Sequence, residues 1–203
     1  RTWTGLDLDA EYRVIGGTDI KGRATLMFDD GPNLPIMFSG NTETNQFDIT
    51  LRRTSINMQE LINMLGIAQV EIPDPVRLTD GRIDFEGRIS IEEAITARMD
   101  ITGTDIDASL LKSHADDAKF SISAAYDDTV SVMGPVSVET VGLAGGVELT
   151  DIKADGQIVD TDTYRLNELS ASLCGGQLRR NRLQYTEDGL VEATRELYGR
   201  DFR

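Results

Sequence analysis

Cys174 is the only cysteine in the chain and His114 the only histidine, so any thiol or imidazole chemistry has to use these two residues. A cysteine nucleophile needs a depressed pKa and a base within reach. Cys174 follows Leu169, Ala171 and Leu173, whose alternation marks a strand, and it precedes Gly175-Gly176 and Leu178. No basic cluster stands directly before it, although Arg179 and Arg180 follow shortly. On such a strand the thiol points away from the three apolar residues and behaves as a small hydrophobe. His114 sits in the polar run "KSHADD" with no nucleophile motif beside it, which suits a surface loop or a helix end.

The glycine pair lacks the spacing of a phosphate-binding loop, and no helix pattern follows whose N-terminus could hold an anion. Glycine inside a strand more often marks a bulge or bend. The reading is therefore that Gly175-Gly176 re-aims one strand so that its sheet can curl. Asp160 and Asp162 form a D-x-D just after Asp155-Gly156, but the twelve-residue calcium loop with its closing Glu is absent. Asp116-Asp117 and Asp127-Asp128 read as solvated acids. Of 35 acidic residues, none forms a pair that spacing singles out for glycoside hydrolysis. A hydrolase using scattered carboxylates is the weakest of three functional readings. No catalytic residue, cofactor or metal site is expected.

The elements that would position any site alternate with period two. Leu6, Leu8, Ala10, Tyr12 and Val14 oppose Asp7, Asp9, Glu11 and Arg13, and Gly16-Gly17 follows as a hairpin signal. Ile20 to Phe28 alternate up to the turn at Asp30-Gly31-Pro32, and Phe47, Ile49 and Leu51 form a short strand. Asn57 and Glu60 fit a capping box ahead of a helix with Leu61, Ile62 and Leu65 on one side and Gly66 at its left-handed end. "EIPDPVRL" stops any continuation. After Asp80-Gly81 the strands return: Ile83 to Ile91, Ala97 to Ile101, Phe120 to Tyr126, Val130 with Val132, Val136 with Val138, Val147 with Leu149, and Ile152 to Ile158. "DASLLKSHADD" reads as a short helix, and "LVEATRELYGRDFR" fits strand or helix equally. The result is an all-β chain with one or two short helices, an antiparallel meander whose sheet is apolar on one face and charged on the other.

The chain has 203 residues and forms a single β-rich domain, 1–203. It begins "RTWTGLDLDA" without an initiator Met and reads as a piece of a longer protein whose export signal or anchor lies outside it. No apolar run approaches the roughly 20 residues of a membrane-spanning helix. A formal net charge of −15 makes nucleic acid a poor partner, because phosphate contacts need Lys and Arg. The apolar face must bury against something. Composition taken alone favours a closed sandwich core; the alternation fits an open groove for acyl chains just as well.

The order of segments resembles the C-terminal region of YdbH-type proteins, AsmA-like envelope proteins of Gram-negative bacteria that also carry an older "dicarboxylate transport" label. "YRVIGGTDIKGRATLMF" looks like their early strand pair. "SINMQELINMLG" looks like the short helix before a Pro-containing link and "DGRIDFEGRISI". "VGLAGGVELTDIKADGQIVDTDTYRLNELSASLCGGQL" is the most specific piece, with Cys174 where an aromatic or apolar residue often stands. The resemblance implies an elongated, curled antiparallel sheet, a groove or open sandwich with an apolar concave face, acting without catalysis as a periplasmic conduit for phospholipid between inner and outer membranes. It implies an inner-membrane anchor outside this stretch, phospholipid acyl chains as ligand, and a small outer-membrane lipoprotein as a partner that adds a strand to the sheet edge. The groove lining expected from alternation is Ile83, Phe85, Ile89, Ile91, Met99, Ile101, Phe120, Ile122, Ile158, Leu169 and Leu173. A closed β-sandwich module that binds a partner at its edge is the alternative.

Overall fold

A computed structural model describes residues 5–69, 76–159, 163–186 and 189–198. Twelve strands and one helix follow in chain order: β1 (Leu6–Ile15), β2 (Asp19–Phe28), β3 (Asn33–Asn41), β4 (Gln46–Asn57), α1 (Met58–Ile67), β5 (Val76–Ile91), β6 (Ile95–Leu110), β7 (Ser113–Asp127), β8 (Thr129–Leu143), β9 (Val147–Val159), β10 (Thr163–Leu173), β11 (Gly176–Thr186) and β12 (Gly189–Tyr198). Each strand pairs only with its neighbours in sequence, always antiparallel, so the twelve form one open, curled sheet with β1 and β12 as its edges. A closed sandwich needs a second sheet, and the described strands make only one.

Register carries one apolar face across the sheet, because residues directly opposite in an antiparallel ladder share a face. Leu8 pairs with Leu26, Leu26 with Leu34, Ile36 with Leu51, and Ile49 with Ile89. The same row continues through Ile89 with Ala97, Ala97 with Tyr126, Tyr126 with Val130, and Val132 with Ile158. Three glycines on this face lie under phenyl rings of the next strand. A Cβ at Gly22, Gly40 or Gly103 would come within 2.4, 2.2 and 2.4 Å of Phe38, Phe47 and Phe120. The rings therefore lie flat on the neighbouring backbone instead of standing up from the sheet.

The buried core is small and sits at one end of the strands. Leu34, Ile56, Met58, Ile83, Phe85 and Ile106 form it, with Leu61, Ile62 and Met64 of α1 packed on top. No polar side chain is buried among the described residues. The accessible surface, 14020 Å², is about half as much again as the ~9,400 Å² typical of a compact monomer of 22.3 kDa. Most residues of the apolar face are half-buried, and Leu8, Tyr12, Val14, Ile89, Met99, Tyr126 and Val130 on it are exposed. Among the described residues no helix is long and apolar enough to cross a membrane.

Several expectations are corrected. Gly175-Gly176 does not bend one strand: β10 ends at Leu173, Cys174 and Gly175 form the turn, and β11 begins at Gly176 opposite Leu173. With φ 49° at Cys174 and 79° at Gly175, the pair is a two-residue hairpin of the type that demands positive φ at both positions. The sheet is instead irregular at Asp105, Asp117 and Asp151, each with φ near 50°, where register slips between β6 and β7 and between β9 and β10. "DASLLKSHADD" is strand, turn and strand. Leu110 faces Ser113 across Leu111-Lys112, and ladders to β5 and β8 on either side outweigh local helix propensity. Asp80-Gly81 lies inside β5, where register also slips and a Cβ on Gly81 would meet Ile106 at 2.7 Å. Val130 to Val138 belong to the single strand β8. Helix α1 runs past Gly66, and Gln69 takes the left-handed conformation with φ 57°.

The capping box is as expected: the Asn57 side chain accepts from the Glu60 N–H at 2.9 Å, and the Glu60 carboxylate accepts from the Asn57 N–H at 2.8 Å. Residues 189–198 form a strand, which settles the ambiguous C-terminal stretch up to Tyr198. Asp160, Asp162 and most of the "EIPDPVRL" run lie outside the described residues.

Candidate functional site

The one thiol and the one imidazole are not brought together. His114 lies on β7 and Cys174 beyond β10, three strand spacings away, or about 14 Å. Cys174 is exposed at its turn. The His114 imidazole lies over Gly142, and its Nε2 is 3.5 Å from the Asp116 carboxylate. No group of three metal-ligating side chains occurs among the described residues.

Ion pairs decorate the polar face. The Asp84 carboxylate meets the Arg53 guanidinium at 2.8 Å and Arg82 at 3.3 Å, and it accepts from the Ser55 hydroxyl. Asp48 accepts from Ser90 at 2.6 Å and from Arg88 at 2.7 Å. Asp100 accepts from Ser123 and pairs with Arg98 at 3.1 Å. All three carboxyls are held below the usual range. For Asp48 and Asp100 the serine hydroxyl is the larger cause and the arginine second; for Asp84 the Arg53 hydrogen bond leads. Each carboxylate is thus spent on neighbours within the sheet, an arrangement that fixes register.

The opposite face holds an apolar concavity. A trough of about 420 Å³ runs from β2 to β8, lined by Leu26, Leu34, Ile36, Ile49, Leu51, Gly87, Ile89, Ala97, Met99, Ala124, Tyr126 and Val130. Its lining is drawn from seven consecutive strands. Arg88 and Arg98 also border it, but their guanidinium groups are bound to Asp48 and Asp100 on the other face. The volume falls within the range of small-molecule and lipid sites. Its walls stay open to solvent: Ile89 is 39% exposed, Met99 41%, Tyr126 40% and Val130 45%.

All eleven residues expected to line a groove fall on this apolar face by register, in different surroundings. Ile89 and Met99 line the trough itself. Ile83 and Phe85 are buried in the core under α1, and Ile101 and Phe120 pack against that core. Ile91 pairs with Phe47 and Ile95 near the strand ends, and Ile122 pairs with Ile101. Ile158 pairs with Val132 and Tyr164, Leu169 with Ala154, and Leu173 with Gly176 at the hairpin turn. Leu34 and Ile36 were missed because β3 was not read as a strand. Pro32 and Pro35 hide it, yet the ladder to β4 starts only at Ile36, so Pro35 costs no hydrogen bond there. Leu26, Ile49, Leu51, Ala97, Ala124, Tyr126 and Val130 show the same alternation as the expected set and could have been included on that signal.

No family model, curated protein or solved structure matches this chain.

Proposed function

We propose that the chain is a non-enzymatic, lipid-binding segment that holds phospholipid acyl chains in its trough, as part of a periplasmic conduit passing phospholipid between the inner and outer membranes. The observation that carries this reading is the apolar trough itself, which no second sheet covers among the described residues and which is bordered by half-exposed Ile89, Met99 and Tyr126. Each methylene taken out of water contributes about 0.8 kcal/mol, so about ten buried methylenes hold a tail by about 8 kcal/mol without any specific polar contact. Such a binder needs no catalytic residue. The resemblance of segment order supplies the envelope setting, the inner-membrane anchor beyond this stretch, and a small outer-membrane lipoprotein as partner. β1 and β12 are each paired on one side only among the described strands and could receive the added strand.

The test is transfer of labelled phospholipid from vesicles to the purified chain, in the wild type and in Ile89→Asp/Met99→Asp. These positions are already part-exposed, so the double variant should keep its circular dichroism and fold. The reading expects uptake by the wild type and at least tenfold less by the folded variant. Equal uptake by both, or none by the wild type, would overturn it.

A further inference from the structure

The lining of the trough includes one polar group that the sheet leaves without a partner. What that group can do rests on the reading that the trough holds acyl chains. By register the lining falls in three rows. Leu26 and Leu34 form the innermost row, where they belong to the core cluster or pack against it. Leu51, Met99 and Ala124 lie in the middle row. Ile89, Tyr126 and Val130 lie in the outermost. Tyr126 is one residue from the end of β7, and Val130, directly opposite, is one residue from the start of β8. The inner end of the trough abuts the packed core. A tail therefore lies with its far end toward the core and its polar end at the outermost row.

Three lining residues carry polar side-chain atoms: Arg88, Arg98 and Tyr126. Arg88 donates to Asp48 and Arg98 to Asp100, both on the other face. The Tyr126 hydroxyl has no hydrogen-bond partner among the described residues. The residue is 40% exposed, so it stands half in the apolar lining and half in water, the position that suits a ring with a polar tip. A phenol is a donor, and a donor at the mouth of an apolar trough meets the first acceptor above the tails of a lipid. In a phospholipid that acceptor is the ester carbonyl at the head of each acyl chain. The phosphate stands further out, in water.

We infer that the Tyr126 hydroxyl donates to an ester carbonyl of the bound lipid, so that the trough selects ester-linked phospholipids over their ether-linked counterparts. An ether-linked chain fills the same apolar rows but has no carbonyl to offer at the mouth. The same bond sets the direction of the lipid, with its tails toward the core.

The experiment loads the chain from vesicles holding equal amounts of a diacyl and a dialkyl phosphatidylcholine of the same chain length. Native mass spectrometry then reads the ratio of the two lipids bound. One hydrogen bond predicts a diacyl-to-dialkyl ratio about fivefold higher on the wild type than on Tyr126→Phe. The variant keeps the ring, and comparison with it cancels any difference in how readily the two lipids leave the vesicle. Tyr12→Phe, on the same register row but outside the trough lining, should match the wild type. A ratio unchanged by Tyr126→Phe, an equal loss of both lipids from that variant, or the same fall in ratio for Tyr12→Phe would overturn the ester assignment and leave the lipid reading standing. Neither lipid bound to the folded wild type would overturn both.

Discussion

Asp84 shows what single residues contribute to this sheet. Its carboxylate takes bonds from Arg53, Arg82 and Ser55 at once, tying β5 to β4 across the bulge at 52–53. Asp84→Asn should lower stability at pH 7 by about 1 kcal/mol, read as a shift in the urea midpoint. The pH dependence has a definite sign. The carboxyl's folded pKa lies below its ordinary 3.8, so the unfolded chain binds the proton first. The stability it contributes is present above pH 3.8 and is lost as pH falls from about 5 through that value and below. The gap between wild type and Asp84→Asn should therefore narrow on acidification. A gap that widened below pH 4 would mean that the carboxyl is not held low. On the apolar face, Gly103→Ala should cost about 1–3 kcal/mol, because its new Cβ would sit 2.4 Å from the Phe120 ring and 2.6 Å from Ile106. Thermal unfolding would measure it.

At the scale of elements, two devices shape the sheet: tight turns and one helix. Gly175 adopts φ 79°, so Gly175→Val should destabilise the β10–β11 hairpin by about 1–2 kcal/mol, whereas Cys174→Asn should be neutral or mildly stabilising in the same turn. If both changes left the denaturation midpoint untouched, the turn assignment would be wrong. Helix α1 is begun by Asn57, and Asn57→Ala should cost about 1 kcal/mol through the lost cap. Much of this level was legible in the sequence, because hairpin strands write their two faces as strict alternation: β1, β2, the Ile83–Ile91 part of β5, the Phe120–Tyr126 part of β7 and the capping box were read directly. The rest was not, for physical reasons. Cys-Gly-Gly looks the same locally whether a strand bends or ends, and only pairing of Leu173 with Gly176 decides it. The helical look of residues 107–117 yields to ladders supplied by β5 and β8, which local propensity cannot register. The left-handed aspartates at 105, 117 and 151 resemble any other surface acid until register shows two residues opposing one.

At the scale of the whole molecule, the balance between a closed core and an open groove depends on whether a second layer exists. Alternation alone is silent on that, since both architectures need it. Among the described residues there is no second sheet: α1 covers one region, with the core cluster under it, and part of the remaining apolar face borders a trough of about 420 Å³. This is also why eleven residues chosen by alternation share a face while only Ile89 and Met99 among them line the trough. Phe85, 7% exposed and packed in the core, would be a poor probe of ligand binding because its removal would destabilise the fold itself. The most direct test of the account places a photo-crosslinking residue at Met99, on the trough side of β6, and in a second protein at Thr96, on the other face of the same strand. After loading from phospholipid vesicles and illumination, the account predicts lipid adducts at position 99 and few or none at 96. Adducts of equal yield at both positions, or at 96 alone, would contradict it.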